Sequence, residues 1–413
     1  MNKQIISLVA AAAIVSSMAA ANLKVDVDKS HNLWWNAPEH PLIGLSLTDT
    51  VSGSPASQLR VYLTKDTMPS EIVFDRTYKV DGDTKINIEI PIVQPGFYKM
   101  HIADDGNIIS ESWIGYEPTN VVSLPDSQPD FDAFWKRAKD ELAAIPANVS
   151  LVAAPELSGK TRDAFRCTYQ SWGGDTIDAV VLIPKEKGPW PAQVYFNGYG
   201  ARPWDFDPDG RPDWVEMMTS VRGQFYSIDR NKYGDWIRYN IDDPDNYYYK
   251  GGYLDAVRAL DVLEKLPEVD PTRMYAEGGS QGGALTLVAA ALGDGRLRAI
   301  APYIPFMSDF RDYFRIVDWP AAPVKEAAKQ KGLTDEQMYV NLSYFDIKNH
   351  ARRIKCPVLM GIGLQDPTCP PHTNMSSYNL IEAPKELIIY PECAHTVDYS
   401  DWNPRRDRFF SEW

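Results

Sequence analysis

The chain has 413 residues, 44% apolar and 24% charged, the composition of a globular protein with room for two domains. A formal net charge of −14 argues against a nucleic-acid partner or an anionic membrane surface, since both need clustered Lys and Arg. Four cysteines with no CxxC pair make neither a disulfide framework nor a zinc site, so no metal is expected.

The first residues, "MNKQIISLVAAAAIVSSMAAANLKV", carry Lys3, an apolar run from Ile5 to Ser16 and small residues at Ala19, Ala20 and Ala21. This is the pattern of a cleavable secretory signal over residues 1–21, too short for a membrane span. No later segment reaches the roughly 18 apolar residues of a spanning helix. The expected product is exported, periplasmic or extracellular. No cysteine follows the cleavage site to take a lipid.

Residues 22–118 hold "LIGLSL", "LRVYL", "EIVFDRTYKV", "KINIEI", "FYKMHI" and "SESWIGY". These runs alternate apolar with polar and are separated by turn residues, which predicts a small Ig-like β-sandwich. Trp34, Trp35 and Trp113 are candidate sugar platforms on it, with burial in the sandwich core as the plainer use of at least one.

The Pro- and Ser-bearing "EPTNVVSLPDSQPD" reads as a linker into a second domain, residues 119–413. Its first helix is "FDAFWKRAKDELAAI", with Phe131, Phe134, Trp135, Ala138 and Leu142 on one face. "DAVVLIP", "AQVYFNGYG", "RMYAEGG", "RAIAPYIP", "PVLMGIGLQD" and "KELIIYPECAH" then read as buried strands. "GYLDAVRALDVLEKL" and "GGALTLVAAALG" read as helices between them. Apolar strands alternating with helices predict an α/β domain with a mostly parallel sheet. Residues 306–344 follow a strand and read as a helical insertion over the pocket, its aromatics either shaping the site or packing as core.

Gly278-Gly279-Ser280-Gln281-Gly282 matches G-x-S-x-G. The pattern alone is weak. Its place between a strand and a helix is what a nucleophile elbow requires, with small residues two before and two after the serine. A glycine-rich turn with a spectator serine is the alternative. A serine nucleophile needs a base and an orienting acid, in chain order Ser, Asp or Glu, His. Of six histidines, His31, His40 and His101 precede the sheet, and His350 lies in a helical segment. His395 follows the last strand, where the base belongs, with His372 a distant second. Asp366 sits at the end of the preceding strand and is the candidate acid, with Asp398 a weaker rival. The oxyanion would be met by the Gln281 N–H at the helix start and by the Tyr199 N–H in "VYFNGYGARP".

Together with "YYYKGGYLDAVRALDVL", "GGSQGG", "CPVLMGIGLQDPTCPP", "YPECAH", "PDFDAFWKRAKDEL" and the Arg222-Gly223-Gln224 signature, residues 125–413 resemble the acetyl xylan esterase and cephalosporin C deacetylase family, carbohydrate esterase family seven. The resemblance implies an α/β hydrolase that removes acetyl groups from acetylated oligosaccharides or small acetyl esters. It implies Ser280, Asp366 and His395 as the triad and the Tyr199 and Gln281 N–H groups as the oxyanion hole. It implies no cofactor and a structural role for the Arg-Gly-Gln segment. Thr396 stands where the family carries Glu, which alters the support behind His395. Family members assemble as hexamers. The added N-terminal domain would obstruct that packing, so the resemblance leaves only a homo-oligomer of unspecified size open.

Two other readings share some of these features. One is an exported peptidase of the prolyl oligopeptidase class, whose appendage is a propeller far larger than 100 or so residues allow. The other is a carbohydrate-binding protein with a degenerate hydrolase domain, which the intact Ser, Asp and His oppose. The adjacency of the two loops also suggests a disulfide between Cys369 and Cys393, with two unpaired thiols as the alternative.

Overall fold

The computed structural model of the chain describes residues 23–28, 32–49, 57–203 and 206–413. The expected signal sequence and His31 lie outside these residues. Among the described residues the N-terminal region holds eight strands: β1 (Leu23–Val27), β2 (Trp34–Trp35), β3 (Leu42–Asp49), β4 (Ser57–Lys65), β5 (Ile72–Val80), β6 (Thr84–Glu89), β7 (Gly96–Asp104) and β8 (Asn107–Tyr116). They form a three-stranded sheet, β1-β3-β6, and a five-stranded sheet, β2-β8-β7-β4-β5. All pairings are antiparallel except the short β2–β8 contact. Ile43, Leu45 and Ile88 of one sheet share a core with Val61, Leu63 and Met100 of the other. The period-two patterning therefore closes one sheet over the other. These are two packed sheets, not propeller blades.

The second region contributes β9 (Ser150–Ala153), β10 (Arg162–Gln170), β11 (Thr176–Pro184), β12 (Trp190–Phe196), β13 (Val215–Thr219), β14 (Val269–Gly279), β15 (Ala299–Tyr303), β16 (Val358–Gly363) and β17 (Lys385–Tyr390). They form one sheet in the order β17-β16-β15-β14-β12-β13-β11-β10-β9. From β13 to β17 every pairing is parallel, and β9, β10 and β11 join antiparallel. The fold is an α/β hydrolase preceded by an antiparallel β region. β16 is buried at all six positions, as a parallel strand covered on both faces must be.

The helices are α1 (Phe131–Ala143), α2 (Tyr248–Glu264), α3 (Gln281–Leu292), α4 (Phe310–Ile316), α5 (Ala321–Gln330), α6 (Asp335–Ser343), α7 (Ile347–His350), α8 (Pro371–Leu380) and α9 (Tyr399–Glu412). The apolar face expected of α1 is the one it buries. α3 is buried nearly all round, which its small apolar residues permit by letting it sit close to the sheet. α4, α5 and α6 make up the insertion after β15. Phe306, Phe310, Tyr313 and Phe314 are core there, while Trp319 is 50% exposed. No helix among the described residues is long and apolar enough to cross a membrane.

Besides β1 and β2, three strands of the larger sheet were not expected from the sequence. β9 is exposed at every position and carries no burial pattern to read. β13 is five residues long. β10 lies against β9 and β11 at the antiparallel end of the sheet.

Candidate active site

β14 ends at Gly279, and α3 begins at Gln281. Ser280 lies between them with φ 57° and ψ −122°, a backbone state that an L residue takes only where its surroundings enforce it. The enforcement is steric. A Cβ on Gly282 would lie 2.1 Å from the Phe196 carbonyl oxygen, and one on Gly278 would lie 2.6 Å from the Gly282 carbonyl. Only glycine lets β12, the turn and α3 meet at this distance. The Ser280 N–H donates to the Tyr303 carbonyl (3.1 Å), and the Ser280 carbonyl accepts from Phe306 N–H (3.0 Å), which fixes the turn against the end of β15.

His395 follows β17. Its Nδ1 lies 2.8 Å from Oδ2 of Asp366. Asp366 is 0% exposed, and its other oxygen accepts the N–H groups of Thr368 (2.8 Å) and Cys369 (2.9 Å). Each oxygen of the buried carboxylate is thus in use, the condition for keeping a charge in a dry site. The loops approach closely because Gly363 has no side chain: a Cβ there would lie 2.1 Å from the Ala394 carbonyl. The His395 side chain is 30% exposed. Ser280 and His395 line the same cavity, of about 780 Å³, whose walls include Tyr195, Tyr303, Tyr399 and Met218.

Tyr199 lies in the loop after β12. Among the described residues no backbone acceptor takes its N–H. The Gln281 N–H is the first of α3 and has no acceptor within its helix. Gln224 holds both pieces together. Its side-chain carbonyl accepts from Gly200 N–H (3.0 Å) and from Gln281 Nε2 (3.1 Å), while its amide donates to Gln281 Oε1 (3.1 Å) and Tyr248 Oη (2.8 Å). The Arg-Gly-Gln segment is thus structural but close to the site. Arg222 forms a buried bidentate pair with Asp255, at 2.9 and 2.6 Å.

The rival residues have other partners. Asp398 caps α9, accepting from Ser400 N–H at 2.9 Å. His350 packs edge-on against Phe131, Trp135 and Tyr253. Burial there lowers its pKa to about 3. His372 sits between Asp66 (Nδ1–Oδ2 2.7 Å) and Asp312 (Nε2–Oδ2 3.4 Å). Burial opposes its charge, but the two carboxylates prevail and raise its pKa to about 10.

Asp309, Asp312 and His372 place one ligand atom each within 4.8 Å of one another. Protein cations already answer these carboxylates: Lys348 meets Asp309 at 2.9 Å, Arg315 meets Asp312 at 3.0 Å, and His372 bridges to Asp66. The cluster is part of an ion-pair network between the two regions.

One expectation needs correction, the disulfide, while the core use of at least one tryptophan holds. All four cysteines are free, so Cys369 and Cys393 do not form a disulfide. The Cys369 N–H is committed to Asp366, and burial pushes the pKa of its thiol well up. Trp35 is buried and offers no sugar platform, whereas Trp34 and Trp113 are half-buried.

Residues 120–411 match the family model described as acetyl xylan esterase. The chain is 30% identical over 408 residues to "Acetyl esterase Axe7A" of Xylanibacter ruminicola, covering 92% of this chain and 91% of that protein. Among solved structures, an acetyl xylan esterase from Paenibacillus sp. R4 superposes with a TM-score of 0.66 at 32% identity, over 72% of this chain and 98% of that one. Acetyl xylan esterase 1 from Thermoanaerobacterium sp. JW/SL YS485 superposes with a TM-score of 0.64 at 27% identity, over 71% and 97%.

Proposed function

Because the chain belongs to the acetyl xylan esterase family of carboxylic ester hydrolases, we propose that it is an exported serine esterase that deacetylates xylan and xylo-oligosaccharides through an acetyl-serine intermediate. The observation that carries this reading is the arrangement of a strained Ser280 and an Asp366-held His395 on one cavity. His395 Nε2 takes the Ser280 proton as the hydroxyl attacks the acetyl carbonyl. Asp366 accepts from Nδ1–H, which fixes the tautomer and stabilises the imidazolium. The oxyanion is met by the Tyr199 and Gln281 N–H groups, the latter backed by the α3 N-terminus. His395 returns the proton to the leaving sugar hydroxyl, and water then releases acetate by the same steps.

The cavity is far larger than an acetyl group and has room for sugar as well as acyl. Acetylated xylan is the expected polymer, and cephalosporin C is the small ester to compare with it. Ser280→Ala should remain folded and lose turnover of p-nitrophenyl acetate and acetate release from acetylated xylan. Wild-type turnover in that variant would remove Ser280 from the mechanism.

A further inference from the structure

The loop that carries Asp366 is gripped on both flanks by the N-terminal sheets. On one flank, the Gln365 side chain treats β8 as a strand neighbour. Its Oε1 accepts the Trp113 N–H at 2.7 Å, and its Nε2 donates to the Trp113 carbonyl at 3.2 Å. β8 is paired with β7 on one side, and with the two-residue β2 only at Gly115 and Tyr116 on the other. Gln365 thus satisfies strand-edge groups at Trp113 that a longer β2 would otherwise cover. The same Nε2 donates to the Pro391 carbonyl (2.9 Å), and the Gln365 N–H donates to the Cys393 carbonyl (2.9 Å). One residue therefore joins the N-terminal sheet, the loop before His395 and, through its own backbone, Asp366.

On the other flank, six residues after Asp366, His372 in the first turn of α8 meets Asp66 from the β4–β5 turn. That turn is fixed to α4 by two further bonds: the Met68 N–H donates to the Arg315 carbonyl (2.8 Å), and Arg315 Nε donates to the Met68 carbonyl (3.1 Å). The Tyr313 hydroxyl on α4 donates to the Thr368 carbonyl at 2.8 Å, midway along the loop. None of these residues lines the cavity that holds Ser280. What they fix is the position of the Asp366 carboxylate relative to His395.

We infer that the N-terminal sheets are a positioning element of the esterase site, acting through Gln365–Trp113 and His372–Asp66 to hold the acid loop. The inference rests on the assignment of Asp366 and His395 in the triad. Gln365 and His372 are positioning residues. Displacement of a catalytic carboxylate by a fraction of an ångström costs rate at the chemical step while leaving substrate binding in place.

The test uses the full chain with p-nitrophenyl acetate. Gln365→Ala should lower kcat by about 10-fold with KM held within about twofold. Asp66→Asn, which alters only the N-terminal side of the second contact, should lower kcat by about threefold in the same way. Labelling of Ser280 by a fluorophosphonate should slow in parallel, since it reads the same His395 without any sugar. Arg60→Ala, which removes the exposed pair with Asp75, should leave kcat unchanged and controls for general loosening of the sheets. Because Asp66→Asn keeps size and hydrogen bonding, it decides the matter even if Gln365→Ala does not fold. Wild-type kcat and labelling in both variants, or a rise in KM alone, would overturn the inference while leaving the triad intact. Turnover surviving Ser280→Ala would instead remove the triad itself.

Discussion

Around Ser280 backbone packs directly on backbone; the Asp366 loop is tied down mainly by side-chain contacts from elsewhere in the chain. The Ser280 turn is built from one strand, one helix and four glycines within six residues, and its strain is set by backbone pressing on backbone. The Asp366 loop has one such glycine, Gly363, and relies on polar contacts for the rest. Its carboxylate is fixed by the next residues' N–H groups. The loop is fixed by Tyr313 from the insertion, by the Pro391–Cys393 segment, and by Trp113 and Asp66 from a different part of the chain. The Ser280 turn is placed by close backbone packing on β12 and on the end of β15. A charged, buried acid has to be placed against a histidine 29 residues away, and only long-range contacts can do so.

If this contrast is right, damage to the two regions should look different. The largest effect is expected from Gly282→Ala. The added methyl would meet the Phe196 carbonyl at 2.1 Å, backbone against backbone with nothing to rotate away. Stability should fall by about 3 kcal/mol or more, with turnover abolished, as read by thermal unfolding and p-nitrophenyl acetate hydrolysis. A stable, active variant would show that the turn tolerates far more movement than its geometry allows.

Asp366→Asn should do the opposite, leaving the fold in place and removing the chemistry. The amide can still accept from Thr368 and Cys369, but in the proposed mechanism it no longer selects the His395 tautomer that takes the serine proton. A fall in kcat of about 10,000-fold is expected, with the unfolding temperature little changed. A variant that instead unfolds would mean that the loop depends on its own charge as much as the turn depends on its glycines.

The smallest effect concerns the contact between the two regions. His372 is raised from 6.5 to about 10 in the folded protein, with Asp312 and Asp66 facing it and Arg315 paired to Asp312. A raised pKa means that the folded state binds the proton more tightly, so the stabilisation is complete below about pH 6.5 and declines as pH rises to about 10. Unfolding temperature should therefore fall over this window, and His372→Asn should flatten that fall. An unchanged slope in the variant would show that other groups carry it.

Much of this was legible beforehand. The six sandwich strands read from alternation, the six strands and two main helices of the hydrolase region, and the buried face of α1 all appear where the patterns place them. The Ser, Asp and His read from order along the chain are brought to one place. Less was legible where the signal is not periodic. β9 has no buried face, and α2 begins at Tyr248, four residues before its readable pattern, with its first tyrosines buried. The cysteine pair was misjudged because loop adjacency says nothing about which way a thiol points.

By itself the sequence determined the chemistry that local sterics can encode: glycines two before and two after one serine, a strand before it and a small-residue helix after it. It also determined the order in which acid and base must follow. The tertiary structure alone decided how the acid is held. Gln365 lies in a motif read only for its Asp366, and His372 read only as a rival base. Their roles come from Trp113 and Asp66, residues 252 and 306 positions away, and no pattern in a linear chain records a contact at that separation until the two sheets have packed.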